Sequence, residues 1–256
     1  MNGKGRHSGV SVLVTKWLVV TLVLMILAGC ASQQNVEPNP EDPWEGFNRR
    51  VFAFNEAIDR VALKPLAQGY DAITPQPVQT GVGNFFSNLG EVRTVLNSLL
   101  QGKPNNAGVA AGRFVINTTI GIGGLWDVAT GIEVTGREED FGQTLGVWGV
   151  GEGPYLVLPL LGPSTVRDTT GLPLDMYTYP LTYVEDDEVR YALTALRMID
   201  RRASFLEQEE LIRGDRYSFI RDAYLQRRRF EVSDGELGED PFASDEFDFD
   251  DDAFAE

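Results

Sequence analysis

The sequence predicts a mainly α-helical single domain, with amphipathic helices set around irregular, apolar loops rich in Gly and Pro. Three observations carry that prediction. Apolar residues recur at spacings of three and four in several segments from position 45 onward, the period of a helix with one apolar face. Eighteen of the 27 glycines fall between Gly81 and Gly171, where they interrupt apolar residues and break regular elements. At 256 residues and 43% hydrophobic, the chain has material for one core with tails.

Lys4, Arg6 and Lys16 precede an apolar run from Trp17 to Ala28, broken only by Thr21, that stops at Gly29-Cys30. Such a run is too short for a bilayer core of about 30 Å, which needs about 20 residues, so residues 1–29 read as an export signal. Leu27-Ala28-Gly29-Cys30 resembles the lipobox of bacterial lipoproteins, in which the cysteine becomes the acylated first residue. Cys30 is therefore expected to carry a covalent N-terminal lipid, two or three acyl chains giving firm attachment at ~0.8 kcal/mol per buried methylene. Ala31 stands where an inner-membrane retention signal has Asp, so the expected location is the outer membrane, anchored on the periplasmic side. Residues 30–41 form the acylated N-terminus and a polar linker.

The helical domain is expected over residues 42–230. Asp42-Pro43-Trp44-Glu45 has the N-cap, first-turn proline and N3 glutamate of a helix start, followed by Phe47, Val51, Phe54, Ile58 and Val61 on one face and an end at Lys64-Pro65. Ile73–Pro77 reads as a turn. Val78, Val82, Phe85, Phe86 and Leu89 form a second stripe ending at Gly90, and Glu91–Gln101 a third helix closed by Gly102 and Pro104. Asn106–Thr119 reads as helix. From Ile120 to Tyr183 the texture changes: Pro154, Pro159 and Pro163 exclude a long helix, and the loops are apolar although exposed backbone favours polar ones. This stretch either completes the core as a buried hairpin or faces lipid. Glu185–Arg202, Ser204–Arg213 and Asp215–Arg229 return to helix, the last with Arg227-Arg228-Arg229 placed to suit the helix dipole. Residues 231–256 hold 12 carboxylates and no Lys or Arg, which predicts a disordered acidic tail.

Much chemistry is excluded by what is missing. The one histidine, His7, lies in the signal, so the mature chain has no Ser-His-Asp or Cys-His nucleophile system and no histidine-based zinc or iron site. Gly121-Ile-Gly123-Gly124-Leu-Trp126 lacks the last glycine of a dinucleotide fingerprint, and no Ser sits in G-x-S-x-G. Glu138-Glu139-Asp140 and Glu185-Asp186-Asp187-Glu188 read as solvated or helix-start charges rather than acid and base. Asp248, Asp250 and Asp252 open a calcium loop that Ala253 spoils, so no metal is expected. The formal charge of −16, which becomes −19 once Lys4, Arg6 and Lys16 are removed, argues against nucleic acid. Neither an enzyme nor a cofactor is expected. In the tail, Phe242, Phe247, Phe249 and Phe254 alternate with acids, as in segments that dock aromatic anchors on a basic partner or that merely solubilise. Trp44, Trp126 and Trp148 suit either a membrane interface or a core.

Several motifs in order resemble the MlaA (VacJ) lipoproteins: Asp42-Pro-Trp-Glu-Gly-Phe-Asn48 with Val51-Phe-Ala-Phe-Asn55, Gly83-Asn-Phe-Phe-Ser-Asn-Leu-Gly90, Asn97-Ser-Leu-Leu-Gln-Gly102, Arg113-Phe-Val-Ile-Asn117, Glu139-Asp-Phe-Gly-Gln-Thr-Leu-Gly-Val-Trp-Gly-Val-Gly151, Gly153-Pro-Tyr-Leu-Val-Leu-Pro-Leu-Leu-Gly-Pro-Ser164 and Arg167-Asp168. The resemblance covers roughly Asp42–Tyr183. It implies a ring-like helical protein embedded in the inner leaflet of the outer membrane beside trimeric porins, with a central amphipathic channel. Through that channel phospholipids mislocalised to the outer leaflet would reach a periplasmic MlaC-like carrier, maintaining lipid asymmetry. On this reading Gly149, Gly151 and Gly153 are the channel's hinge, and Leu145, Val147, Trp148, Leu156, Val157, Leu158, Leu160 and Leu161 form a lipid-facing apolar hairpin. The alternative is a structural lipoprotein that braces a porin or tethers the envelope without moving lipid.

Overall fold

The computed structural model describes residues 39–209, 212 and 214–235. Cys30 and the four tail phenylalanines lie outside them. The first helix, α1 (Glu45–Ile58), does not stop at Pro65. It passes through a π-helical turn, Asp59–Leu63, into α2 (Lys64–Ile73). Pro65 has no N–H to give the carbonyl four residues back, and the chain widens just ahead of it, the Lys64 N–H reaching the Asp59 carbonyl five residues back. Asp42, expected to cap α1, instead lies buried and accepts from Asn48, Tyr217 and Arg221. The α1 N-terminus has no side-chain cap.

The two helices expected on either side of Gly90 are one, α3 (Gln76–Leu100). An interior glycine weakens a helix by only ~1 kcal/mol, and burial of Phe86 before it and Glu91 after it holds the axis through. After a turn at Gly102 comes α4 (Pro104–Thr119), packed along α3. Two short helices follow, α5 (Val128–Gly131) and α6 (Phe141–Val147), capped by the side chains of Asp127 and Asp140.

The region expected to be irregular holds more order than its prolines suggest. Strands β1 (Tyr155–Leu158) and β2 (Gly162–Thr165) form an antiparallel hairpin, Tyr155 opposite Thr165 and Leu158 opposite Gly162. Helix α7 (Val166–Thr178) follows directly, started by Thr165, whose hydroxyl accepts from the Asp168 N–H, and carrying Pro173 inside it. A 3-10 turn, Pro180–Tyr183, leads to α8 (Asp187–Ala203), the four-residue α9 (Leu206–Glu209) and α10 (Arg216–Val232). Among the described residues no helix is long and apolar enough to cross a membrane.

Two apolar clusters anchor these elements. Val51, Tyr155, Val157, Tyr217 and Leu225 join α1, the hairpin and α10. Phe86, Tyr179 and Leu181, with Leu193 and Leu196 against them, join α3, the 3-10 segment and α8.

Candidate functional site

Between the two clusters the interior is polar. Along α3, Asn88, Glu91, Thr94, Asn97 and Ser98 are all buried, and their steps of three place them on the stripe that meets α4 and α6. The opposite side of the same helix leaves Leu96, Leu99 and Leu100 open. This inverts the arrangement of a helix on a water-soluble core. The outward apolar surface continues over Val61, Leu66, Ile73, Val115, Ile120, Ile122 and Trp126.

Most inward groups satisfy one another, although Asn88 Oδ1 and Gln101 Oε1 are buried without a hydrogen-bond partner. Arg113 of α4 donates to Glu91 at 2.6 Å, to Asp127 at 3.1 Å and to the Val134 carbonyl at 2.6 Å. Asn117 donates to Asp127 and accepts from the Ala129 N–H, both at 2.9 Å. Thr144 donates to Asn97 at 2.8 Å, and Gln101 and Lys103 hold Glu139 at 2.9 and 3.1 Å. Burial pushes the Glu91 and Glu139 carboxyls above the usual range despite Arg113 and Lys103. A cavity of about 570 Å³ opens beside the α3–α4 turn, lined by Lys103, Asn106, Arg137, Glu139 and Asp234 among others. Its cations are already paired, Lys103 with Glu139 and Asp234, and Arg137 with Asp234.

Arg228 ties three elements together. Its place near the end of α10 suits the helix dipole, and its guanidinium also reaches Asp140 at 2.7 and 2.9 Å and Asp168 at 2.9 and 3.0 Å, with Glu231 at 2.9 Å. Tyr224 donates to the same Asp168 at 2.7 Å. Burial would raise the carboxyls of Asp140 and Asp168, but the Arg228 charge and hydrogen bonds overcome it and hold both below the usual range. Only glycine fits beside this node: a Cβ on Gly142 would stand 2.5 Å from the Asp168 carboxylate. Nearby Asp175, which accepts from the Phe141 N–H, is pushed up to about 6 by burial and the Asp140 charge. The cluster Glu138-Glu139-Asp140, expected to be solvated or helix-start charges, is thus split: Glu138 is outside, Asp140 caps α6 while meeting Arg228, and Glu139 is buried.

The hairpin is held from α1 by two asparagine amides. Asn48 donates to the Tyr155 carbonyl at 3.0 Å and accepts from the Val157 N–H at 2.9 Å. Asn55, two turns on, repeats the pattern with Leu158 and Leu160 at 2.9 and 2.8 Å. Each amide does what a neighbouring strand would do at a sheet edge. Of the residues expected to face lipid, Val157 is 1% exposed and belongs to the core, a correction that follows from strand alternation. Leu145, Leu156 and Leu158 are half-buried, whereas Leu160 and Leu161 at the hairpin tip, with Val147 and Trp148, are open. The Trp148 indole donates to the Leu100 carbonyl, and Trp44 and Trp126 are exposed as well.

The three expected hinge glycines are not equivalent. Gly149 (φ +90°) and Gly153 (φ +66°) occupy left-handed conformations, and a Cβ on Gly153 would meet Val166 at 3.1 Å. Gly151 has no such φ and open space around it. Gly149→Ala and Gly153→Ala are therefore expected to cost about 1–2 kcal/mol each and Gly151→Ala less than about 0.5 kcal/mol. Urea unfolding of the three variants checks the ranking.

A family model described as MlaA lipoprotein matches residues 40–231. The chain belongs to the MlaA lipoprotein family. It is 36% identical over 234 residues to "Intermembrane phospholipid transport system lipoprotein MlaA" of Haemophilus influenzae, covering 88% of this chain and 94% of that one. The Escherichia coli protein of the same name is 37% identical over 218 residues, covering 83% and 86%. A solved chain described under "Structural basis for maintenance of bacterial outer membrane lipid asymmetry" shares the fold with a TM-score of 0.66 and 37% identity, over 75% of this chain and 98% of that one. The mainly helical class read from the sequence is thus the class of the MlaA family.

The motifs that carried the MlaA resemblance turn out to build the polar interior. Asp42, Asn48 and Asn55 clamp the hairpin. Asn97, Gln101, Arg113 and Asn117 line the α3–α4 seam, and Glu139, Asp140, Gly142, Thr144 and Asp168 fill the seat of α6 and α7.

Proposed function

We propose that this MlaA family member is a lipoprotein of the outer membrane that takes phospholipids from the outer leaflet, passes them through an amphipathic channel and hands them to a periplasmic MlaC-like carrier. The observation that carries the reading is the inversion of α3, with Asn, Glu, Thr and Ser inward and Leu outward. In water that arrangement exposes leucine at a cost, whereas acyl chains solvate leucine as well as a core does. The polar interior supplies a path in which a headgroup can trade water for amides and charges. The names of the Haemophilus influenzae and Escherichia coli relatives support phospholipid as the cargo. No bond need be made or broken, so no catalytic residue and no cofactor beyond the lipid on Cys30 enter the mechanism.

In this mechanism apolar helix faces and the tips Leu160 and Leu161 bathe in lipid, beside a trimeric porin that gives the ring its place. Residues 149–153 allow the hairpin segment to shift and admit a lipid. Deleting the chain from its native cells is expected to raise the outer-leaflet phospholipid accessible to an added phospholipase. Unchanged accessibility would overturn transport and leave the structural-brace reading. Crosslinking and pulldown from native membranes are expected to bring down a porin and a small periplasmic lipid carrier. Cys30→Ser is expected to abolish the lipid modification and release the protein from the membrane fraction, read by metabolic acyl labelling and fractionation; full membrane retention would sink the anchor.

A further inference from the structure

One cluster of arginines has no carboxylate in ion-pair contact among the described residues, although Glu138 lies near Arg201 and Asp140 and Asp175 lie near Arg93. Arg93 of α3 lies two turns beyond Phe86 on the same face, and its Nε is buried with no hydrogen-bond partner. Arg197 and Arg201 stand one turn apart on α8, and the Arg197 guanidinium lies over the Tyr179 ring at 4.4 Å. Tyr179 is fixed in turn by its hydroxyl, which donates to the Phe86 carbonyl, so α3, α8 and the 3-10 segment converge here. None of the ion pairs among the described residues includes Arg93, Arg197 or Arg201, although Arg113, Arg202, Arg221 and Arg228 are all paired. Arg201 is open to water, yet burial and the like charges of Arg197, Arg227 and Arg93 hold it below arginine's ordinary range, with Glu138 opposing them. Arginines brought together with no carboxylate in direct contact leave donors that an anion can join.

We propose that Arg93, Arg197 and Arg201 form a seat for the phosphodiester of an anionic phospholipid headgroup, giving this chain a preference for anionic over zwitterionic lipid. Exposed apolar side chains neighbour the seat along the chain, Met198 between the two α8 arginines and Met176 and Tyr177 just before Tyr179. A free phosphate would have no use for that surface. Acyl chains would. The paired cations of the cavity at Lys103 offer no such vacancy.

The proposal rests on the phospholipid-handling reading, and its test separates the two. Purified full chain in detergent is titrated with dihexanoyl phosphatidylglycerol, dihexanoyl phosphatidylcholine and inorganic phosphate. Wild type is expected to bind phosphatidylglycerol about tenfold more tightly than phosphatidylcholine, the advantage shrinking as salt rises. In R93Q/R197Q/R201Q the advantage should fall below about twofold while phosphatidylcholine binding stays, and R93K/R197K/R201K, which keeps the charge, should restore most of it. Circular dichroism confirms that both triple variants keep their helix. Equal binding of the two lipids by wild type overturns the seat alone; binding of neither overturns phospholipid handling as well. Inorganic phosphate bound as tightly as phosphatidylglycerol would overturn the lipid source. A preference that emerges only after residues 236–256 are deleted would assign the cluster to the chain's own acidic tail and overturn the proposal.

Discussion

Replacing Arg228 with Met is expected to lower the unfolding free energy by about 3–5 kcal/mol, because the change strands two carboxylates in a site built to hold them ionised. Asp140 and Asp168 each receive two hydrogen bonds from this guanidinium. Lys cannot substitute, since one ammonium cannot present donors to both carboxylates in the planar fork that Arg228 uses. Urea unfolding of the chain lacking residues 1–29, in mild detergent, measures the loss. In wild type the folded-state pKa values of Asp140 and Asp168 are depressed, so their contribution is present above the unfolded carboxylate value of about 3.9 and fades as pH falls through the folded values. In the variant burial is opposed only by the weaker remaining partners, the Gln143 N–H at Asp140 and Tyr224 at Asp168 among them, so both carboxyls rise and the variant loses less stability than wild type as pH falls. The gap between the two proteins should be full at pH 7 and narrow below about pH 4. A pH-independent gap would mean that Arg228 acts through packing alone. Adding Asp168→Asn and Asp140→Asn to Arg228→Met should recover part of the loss at neutral pH.

That node was invisible in the sequence for a specific reason. Arg228 sits in the last turn of a helix, where local rules assign a cation to the dipole, and Asp140 precedes a helix, where they assign a cap. The cap assignment holds, since Asp140 accepts from the Gln143 N–H at 2.8 Å. What the local rules omit is that the other oxygen of a cap can still receive an arginine from 88 residues away. Helices α8 and α10 were legible because their apolar stripes and their caps at Asp186 and Asp215 agree with their packing, and α4 because its small residues recur every four. The break at Gly90 and the stop at Pro65 were misplaced because a glycine or proline signals only a local preference, which tertiary burial or a π turn overrides. Helix α7 was missed because it follows Pro154, Pro159 and Pro163 closely and holds a further proline, Pro173.

Which side of α3 faces inward was not legible for a deeper cause. Periodicity finds an apolar stripe but says nothing of which solvent the stripe meets. Leu96, Leu99 and Leu100 mark the helix but not its inward face, because the rule that apolar means inside presumes water outside. The signal that could have found the site was the second periodicity, Asn88, Glu91, Thr94, Asn97 and Gln101 at steps of three and four, too regular for a solvated face rich in amides and poor in lysine. On the proposed reading that polar stripe is the path and the leucines are its lipid-facing wall.

Asn48 should be the least replaceable residue of the hairpin clamp. Fully buried, it is the donor for Asp42 and the Tyr155 carbonyl and the acceptor for the Val157 N–H. Asn48→Leu removes all three at once and leaves two backbone groups and a carboxylate without that partner, an expected loss of about 3–5 kcal/mol, since each orphaned buried group costs about 1–3 kcal/mol. Asn55→Leu breaks the same pattern nearer the surface, where water can take over, and should cost about 1–2 kcal/mol. Asn48→Asp is the sharper test. It keeps shape and the acceptor for Val157 but cannot donate to the Tyr155 carbonyl, and it places a second carboxylate 2.8 Å from the first where Asn48 now donates to Asp42. If the amide acts as a surrogate strand edge, Asn48→Asp should be at least as damaging as Asn48→Leu at pH 7 and should recover towards pH 4 as one carboxyl takes up a proton and becomes a donor. An Asp variant as stable as wild type at neutral pH would show that volume at this position, and not hydrogen-bond polarity, holds the hairpin to α1.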